Sequence, residues 1–228
     1  MLIVAASYPI FAATFASNRP GYLVVGGGGG AGRSGVKNKI SLFDFSSRAP
    51  TVPELLTIEA SEDDSVTCLA NLATNGLILY AGINSSEQDR LIAKNEHFRS
   101  FEVQFPKNKA ASNGAEKSDG TISFLSSTSL FTPPQSANGR KEGYQRIVRL
   151  SPPPRTASGA PNKRIGAIAS SLSGDANEIV IFSATSNKPS SQDIIGRITL
   201  HKGQEANDLD IYTQMEGRFQ VAYVVDQE

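Results

Sequence analysis

The chain has 228 residues, of which 39% are hydrophobic, so it can bury a core and is not disordered throughout. Its 22 basic and 22 acidic side chains cancel, which excludes a strong overall attraction to nucleic acid or to an anionic membrane. Cys68 is the only cysteine, which excludes an intrachain disulfide and a thiolate zinc cluster and favours a cytosol-facing protein.

The sequence contains few other residues that could support catalysis. His97 and His201 are the only histidines, they are far apart, and no nucleophile motif accompanies them, so triad hydrolysis has little support. We expect both histidines to lie on the surface. No stretch reaches the roughly 18 uninterrupted apolar residues that a membrane span needs, so we expect a soluble chain.

Short runs rich in β-branched and aromatic residues, separated by turn residues, dominate the chain and predict strands without any helix. The predicted strands cover residues 11–15, 22–25, 39–45, 54–58, 66–72, 77–83, 97–103, 122–131, 147–150, 165–171, 178–182, 195–200 and 219–224. They recur in groups about every forty to fifty residues, a spacing typical of four-stranded propeller blades. We therefore predict an all-β, WD-repeat-like β-propeller. A β-sandwich is the alternative.

The predicted propeller is incomplete, with about three blades and the start of a fourth, because a closed propeller needs more blades to cover its edge strands. Within one domain of residues 1–228, the predicted blades cover residues 8–59, 60–106, 121–203 and, for the start of the fourth, 204–228. Polar segments rich in Ser, Asn, Gly, Pro or Lys predict exposed insertions at residues 107–120, 132–143 and 152–163.

The glycine loop, residues 27–39, is the most unusual segment of the sequence. Gly30, Gly32 and Gly35 satisfy the G-x-G-x-x-G pattern of a dinucleotide-binding turn, but that turn opens a helix, whereas residues 40–45 alternate as a strand. A phosphate-binding P-loop would need lysine directly after the last glycine, and the chain has valine there. Nucleotide binding by this loop is therefore disfavoured.

A long glycine run costs backbone entropy, so it indicates many residues with positive φ or a close approach to a partner; a flexible hairpin linker is the alternative. Such a backbone can turn carbonyl oxygens inward, and a ring of carbonyls suits a weakly hydrated cation such as potassium. Asn38 ends the loop with an amide that both donates and accepts, and Lys37 and Lys39 add positive charge beside it. We expect these three side chains to touch a partner.

Several segments resemble one known family. Tyr-Pro and Phe-Ala-Ala-x-Phe within residues 8–15, Leu-Val-Val at 23–25 and the glycine loop through Asn38-Lys39 resemble the first blade of that family. Residues 62–101, from Glu-Asp-Asp-Ser through Gly-Ile-Asn to Asn-Glu-His-Phe-Arg-Ser-Phe, resemble its second blade. The family is that of the endoplasmic-reticulum exchange factors that start COPII coat assembly, the prolactin regulatory element-binding protein family. From Ile147 onward the resemblance is softer.

The resemblance implies a seven-bladed propeller followed by a membrane anchor, so we expect the later blades and the anchor to be missing from this chain. It implies a guanine nucleotide exchange factor for the Sar-family small GTPase, held by that anchor at the cytosolic face of the endoplasmic reticulum membrane. Such a factor acts by differential binding and does no covalent chemistry, so we do not expect an enzyme in that sense. No nucleic-acid partner is expected. The alternative is a propeller scaffold that displays surfaces without exchange activity.

The resemblance also implies roles for individual residues. It makes Asn38 the catalytic residue, and it implies that the GTPase is bound by Lys37, Asn38, Lys39, Asp64 and Ser65. It implies a potassium ion in the loop, with candidate residues Gly30, Gly32, Arg33, Ser34, Gly35, Val36 and Asn38. The chain departs from the family at Arg33 and Ser34, where asparagines are usual, and at Lys37 and Val66, where proline often occurs.

Overall fold

A computed structural model describes residues 6–32, 34–46, 51–52, 54–106, 119–133, 143–153, 164–172, 176–214 and 218–226. Arg33 and most of the three predicted insertions, at 107–118, 134–142 and 154–163, lie outside the described residues. The described chain is an all-β, propeller-like fold, as predicted.

The strands, in chain order, are β1 (Ile10–Phe15), β2 (Tyr22–Gly27), β3 (Asn38–Asp44), β4 (Glu54–Ser61), β5 (Cys68–Ala73), β6 (Leu77–Gly82), β7 (Phe98–Gln104), β8 (Thr121–Thr128), β9 (Gly143–Leu150), β10 (Ile165–Leu172), β11 (Ala176–Ser183), β12 (Ile194–Lys202), β13 (Ala206–Thr213) and β14 (Phe219–Val225). A short helix α1 (Glu87–Leu91) and a 3-10 turn (Ser191–Asp193) interrupt them. No helix in the described ranges is long and apolar enough to cross a membrane.

The strands form three antiparallel four-stranded sheets, β1 to β4, β5 to β8 and β9 to β12, each meandering in chain order, and a final hairpin of β13 and β14. The first strands of successive sheets touch one another, since β1 contacts β5, β5 contacts β9, and β9 contacts β13. This arrangement is that of consecutive propeller blades whose first strands lie together.

The sequence of strand β6, in the middle sheet, is continuously apolar because the strand is buried on both faces. In β6, Leu77 and Leu79 belong to the core shared with the first sheet, while Ile78 and Tyr80 belong to the core shared with the third. All six residues of β6 are buried, which replaces the usual alternation of inward and outward side chains. Each fully buried large apolar side chain contributes about 1.5–3 kcal/mol, so these two cores fix neighbouring blades against each other.

Polar contacts join the blades at the end opposite the glycine loop. The Asn71 amide donates to Thr14 Oγ1 (2.7 Å) and the Phe15 carbonyl (2.8 Å), and its Oδ1 accepts from the Ser17 amide (3.1 Å). The buried Arg164 guanidinium donates to the Asn71 carbonyl at 3.0 Å, which ties the third sheet to the second. Because all these groups are paired, their burial does not oppose folding.

The predicted boundary between blades two and three is wrong. Strand β8, which the sequence placed in blade three, pairs with β7 from Thr121↔Gln104 to Thr128↔Phe98. Blade two therefore consists of β5 to β8, and blade three of β9 to β12. The long segment between β7 and β8 resembled a blade boundary, but the entropy of closing a hairpin loop grows only slowly with its length.

Two further elements were missed by the sequence prediction. Strand β13 was not predicted because Asp208 and Asp210, a residue type depleted in strands, alternate with its apolar residues Leu209 and Ile211, which are buried. Helix α1 also contradicts the expectation of no helix. It is only five residues long, too short to show helical periodicity, and it is started by the Ser86 side chain, which accepts from the Asp89 amide.

Candidate functional site

The glycine loop connects β2 to β3 at one end of the first blade. Residues 40–45 continue in a strand, as predicted, because β3 runs to Asp44 and pairs with both β2 and β4. A dinucleotide-binding turn would instead place its last glycine at the start of a helix that receives the pyrophosphate. The structure therefore excludes that interpretation of the glycine pattern.

The loop backbone adopts conformations that explain its glycines. Gly28 has φ +142° and Gly30 has φ +73°, values at which side chains are strained. A Cβ at Gly28 would also lie 2.5 Å from the Cα of Asn38, far inside contact distance. The prediction of positive φ is confirmed, and the close approach seen here is to Asn38 of the same hairpin, so the glycine run follows a defined path against it.

Asn38 organises this path from inside the loop. Its Oδ1 accepts from the Gly30 amide (2.9 Å), and its Nδ2 donates to the Gly30 carbonyl (3.4 Å) and to the Ser61 carbonyl of β4 (3.3 Å). The residue is only 4% exposed. The expectation that Asn38 presents its amide to a partner is therefore wrong in this structure, because the amide is already occupied in holding Gly30 to β4.

The two lysines beside Asn38 differ in exposure. Lys37 is exposed, and its Nζ lies 2.8 Å from Glu59 Oε1, which raises the pKa of Lys37 through that hydrogen bond and charge. Exposed ion pairs of this kind contribute little to stability. Lys39 is half-buried at the start of β3. Of these two side chains, Lys37 is the better placed to meet a partner.

Asp64 and Ser65 lie on the connection from β4 to β5, beneath the glycine loop. Asp64 Oδ1 is 3.5 Å from the position that a Cβ of Gly30 would occupy, so the structure brings this predicted residue to the loop. The same oxygen accepts from the Ser65 amide at 2.8 Å. Both residues are buried, at 7% and 9% exposure, and of the two it is Asp64 that lies against the loop.

The loop carries neutral oxygens of the kind that bind a monovalent cation. The space that a Cβ of Gly29 would fill is lined by Ser34 Oγ and by the Val36 carbonyl, 2.8 Å from that position, and the Gly29 carbonyl lies 3.8 Å from the corresponding position at Gly32. These oxygens are neutral, which suits potassium better than divalent cations that select carboxylates. The described residues contain no cluster of three His, Cys, Asp or Glu that could hold a metal.

A buried polar network behind Asp64 was missed by the sequence analysis. Asn84 is fully buried; its Nδ2 donates to Asp64 Oδ2 (3.0 Å), and its Oδ1 accepts from Asn95 Nδ2 (3.0 Å) and Gln145 Nε2 (2.8 Å). Gln145 Oε1 is buried and has no hydrogen-bond partner within the described part of the chain. Asn84 stands in a segment that carries the family resemblance, but no sequence signal links it to Gln145, 61 positions away.

His97 is buried, which contradicts the surface expectation. Its Nε2 accepts from the amides of Leu130 and Phe131, each at 3.1 Å, and its ring stacks on the Phe131 ring with centroids 4.2 Å apart. Burial lowers the pKa of His97 to about 3, so the ring is neutral. It supports the connection after β8 and is not a catalytic base. His201 is exposed, as expected.

The candidate site thus consists of the glycine loop, the Asn38 amide inside it, and Asp64 below it. No protein-family model matches the chain, and no curated protein is significantly similar to it.

Proposed function

We propose that this chain is a guanine nucleotide exchange factor for the Sar-family small GTPase, and that it initiates COPII vesicle budding at the cytosolic face of the endoplasmic reticulum membrane. One feature of the structure supports the proposal in addition to the family resemblance. The Asn38 amide ties Gly30 to β4, so the glycine loop forms a fixed arch with Lys37 exposed on it. A fixed arch suits a protein that must bind one conformation of its partner.

The mechanism is differential binding. A GTPase holds GDP through its phosphate-binding backbone and magnesium, and its switch segments change order with the nucleotide. The arch would bind the nucleotide-free form of the GTPase more tightly than the GDP form, which lowers the barrier to GDP release. Each 1.36 kcal/mol of this preference is worth about tenfold in release rate.

In this mechanism the buried residues act through the loop. Asn38 is the residue on which exchange depends because it fixes Gly30, and Asp64 and Ser65 hold the connection below. Lys37 and Lys39 supply positive charge at the contact surface. When bound, a potassium ion supplies positive charge that holds the loop oxygens together. The residues that would hold it are Ser34 and, through their backbone, Gly30, Gly32, Gly35 and Val36.

The direct test is GDP release from a Sar-family GTPase loaded with fluorescent GDP. We expect the chain to accelerate release at least about tenfold, equal to about 1.4 kcal/mol of differential binding. As a control, residues 30–36 are replaced by an Asn-Gly turn, which leaves Gly29 opposite Lys37 and so keeps the register of Gly27↔Lys39. This variant also loses the bonds between Asn38 and Gly30, so we expect it to stay folded with a lower thermal midpoint and to lose the acceleration. No acceleration by the unaltered chain would reject the proposal.

A scaffold without exchange activity is the second candidate, and exposed apolar side chains favour it. Phe11 and Phe15 on β1 are 59% and 66% exposed, and such surfaces can bind proteins. The loop replacement separates the two functions, because it leaves both phenylalanines unchanged. If the replaced chain accelerated GDP release as well as the unaltered chain, the glycine loop would have no part in exchange.

Potassium should affect the loop itself as well as activity. Replacing potassium by sodium or caesium at constant ionic strength changes the ion radius without changing charge screening. We expect slower GDP release and faster amide hydrogen exchange at residues 29–37, because the neutral loop oxygens lose a fitted cation. Hydrogen exchange mass spectrometry on the chain alone measures the second effect. Equal exchange in all three salts would contradict a potassium site.

A further inference from the structure

Residues 86–95, here the α1 segment, expose two adjacent aliphatic side chains without a structural role in the core. Leu91 is 57% exposed and Ile92 is 63% exposed, and α1 buries none of its residues. Burial of such side chains is favourable, and the free chain does not gain that stabilisation here. A contact with another molecule would recover it.

The α1 segment is held firmly in place although it contributes nothing to the core. The Ser85 amide donates to Asn95 Oδ1 (2.9 Å), and the Glu96 amide donates to Ser85 Oγ (2.9 Å). These bonds close the base of the segment, and Asn95 Nδ2 anchors it to the buried Asn84 at 3.0 Å. The two exposed side chains are therefore presented on a fixed base, which lowers the entropy lost on binding.

The same hydrogen bonds place the α1 segment beside the glycine loop. Asn84, which holds Asn95, also donates to Asp64 Oδ2 at 3.0 Å, and Asp64 lies under Gly30. Ile92 is three residues from Asn95, which is at most about 11 Å of chain. The two segments therefore lie at the same end of blades one and two.

The charges around Leu91 and Ile92 favour a protein partner over a lipid surface. The segment carries Glu87 and Asp89 in the first turn of α1 and Arg90 in its last turn, with mixed sign throughout. An apolar centre with a rim of mixed charge is the anatomy of a protein interface. Membrane-surface segments instead combine apolar residues with a strongly basic face.

We propose that Leu91 and Ile92 form a second contact with the GTPase that the glycine loop engages. This inference rests on the proposed exchange function and extends its contact surface from blade one to blade two. The partner surface is an apolar patch of the nucleotide-free GTPase. Both contacts lie at the same end of the blades, and we expect the α1 contact to add affinity without taking part in displacing GDP.

The test compares two double variants of the whole chain. L91S/I92S removes the proposed contact, and I195S/V224S removes two other exposed aliphatic side chains, 49% and 62% exposed, from β12 and β14. We measure binding of each chain to the nucleotide-free GTPase and, separately, to vesicles of phosphatidylcholine and phosphatidylserine. We expect L91S/I92S to bind the GTPase about tenfold more weakly and I195S/V224S within about twofold of the unaltered chain.

The other outcomes separate the two proposals. If L91S/I92S binds the GTPase like the unaltered chain, the second contact is overturned while the exchange function stands. Weaker vesicle binding with unchanged GTPase binding would overturn it in favour of a membrane contact. If the unaltered chain does not bind the GTPase at all, the exchange function fails and this inference fails with it.

Discussion

Replacing Asn38 with alanine should reduce the GDP-release activity of this chain at least about tenfold, equal to about 1.4 kcal/mol of differential binding. The substitution removes the three hydrogen bonds that join the amide to Gly30 and Ser61. At about 0.5–1.5 kcal/mol each, their loss frees the arch and lowers the free energy of unfolding by roughly 1.5–4.5 kcal/mol. Stopped-flow GDP release and urea unfolding measure the two effects.

Asn71→Ala is the matched control for this experiment. Asn71 is another buried asparagine whose amide joins strands, through Thr14, Phe15 and Ser17, but it lies at the opposite end of the blades. We expect a similar loss of stability without loss of exchange. Equal loss of exchange in both variants would show that general destabilisation, and not the arch, is responsible.

Asn38→Asp separates the acceptor of the amide from its donors. The carboxylate keeps an oxygen for the Gly30 amide but turns a second oxygen toward the carbonyls of Gly30 and Ser61, which can only accept. We expect exchange as low as in Asn38→Ala. Full activity in Asn38→Asp would mean that only the acceptor matters and that the link to β4 is dispensable.

The second large effect is on stability at acid pH, through His97. The folded state holds this ring neutral because its pKa is lowered from 6.5 to about 3, whereas the unfolded chain binds a proton below about pH 6.5. The stabilisation is therefore fully present above pH 6.5 and is lost as the pH falls toward 3. The loss is about 2 kcal/mol at pH 5 and about 4 kcal/mol at pH 3.

His97→Gln provides the comparison, because an amide oxygen can accept from Leu130 and Phe131 but does not titrate. We expect this variant to be less stable than the unaltered chain at pH 7.5, since it loses the ring stack on Phe131. The difference should shrink as the pH falls to 5, as measured by urea unfolding at each pH. Parallel curves for the two proteins would contradict a buried neutral histidine.

The carboxylate and guanidinium nearest to this site remain in both proteins. Glu178 accepts from the Thr132 amide and pairs with Arg197 at 2.8 Å, and Arg197 also donates to the Leu130 carbonyl at 2.7 Å. These contacts hold the same chain connection that His97 supports. Because they are common to both proteins, their contribution cancels in the comparison.

The sequence determined the fold class and most of the strands. A strand such as β6, Leu-Ile-Leu-Tyr-Ala-Gly, is recognisable from its own residues because β propensity and continuous apolarity are local properties. The glycine loop was also identified from sequence, because a run of residues without side chains indicates a special backbone wherever it occurs. The strand after the loop was predicted from the alternation of apolar and polar residues, and a strand at that position excludes a dinucleotide-binding turn.

Only the tertiary structure decided which strands share a blade and which side chains face the solvent. Strand β8 belongs to blade two, and the side chains of Asn38 and His97 are buried. The Gln145 side chain of blade three donates a hydrogen bond to Asn84, which follows β6 of blade two. Strand pairing and burial depend on contacts between residues that are distant in the chain, and local pattern carries no information about them. A polar side chain therefore looks the same in the sequence whether it faces a partner or ties together the loop beneath it.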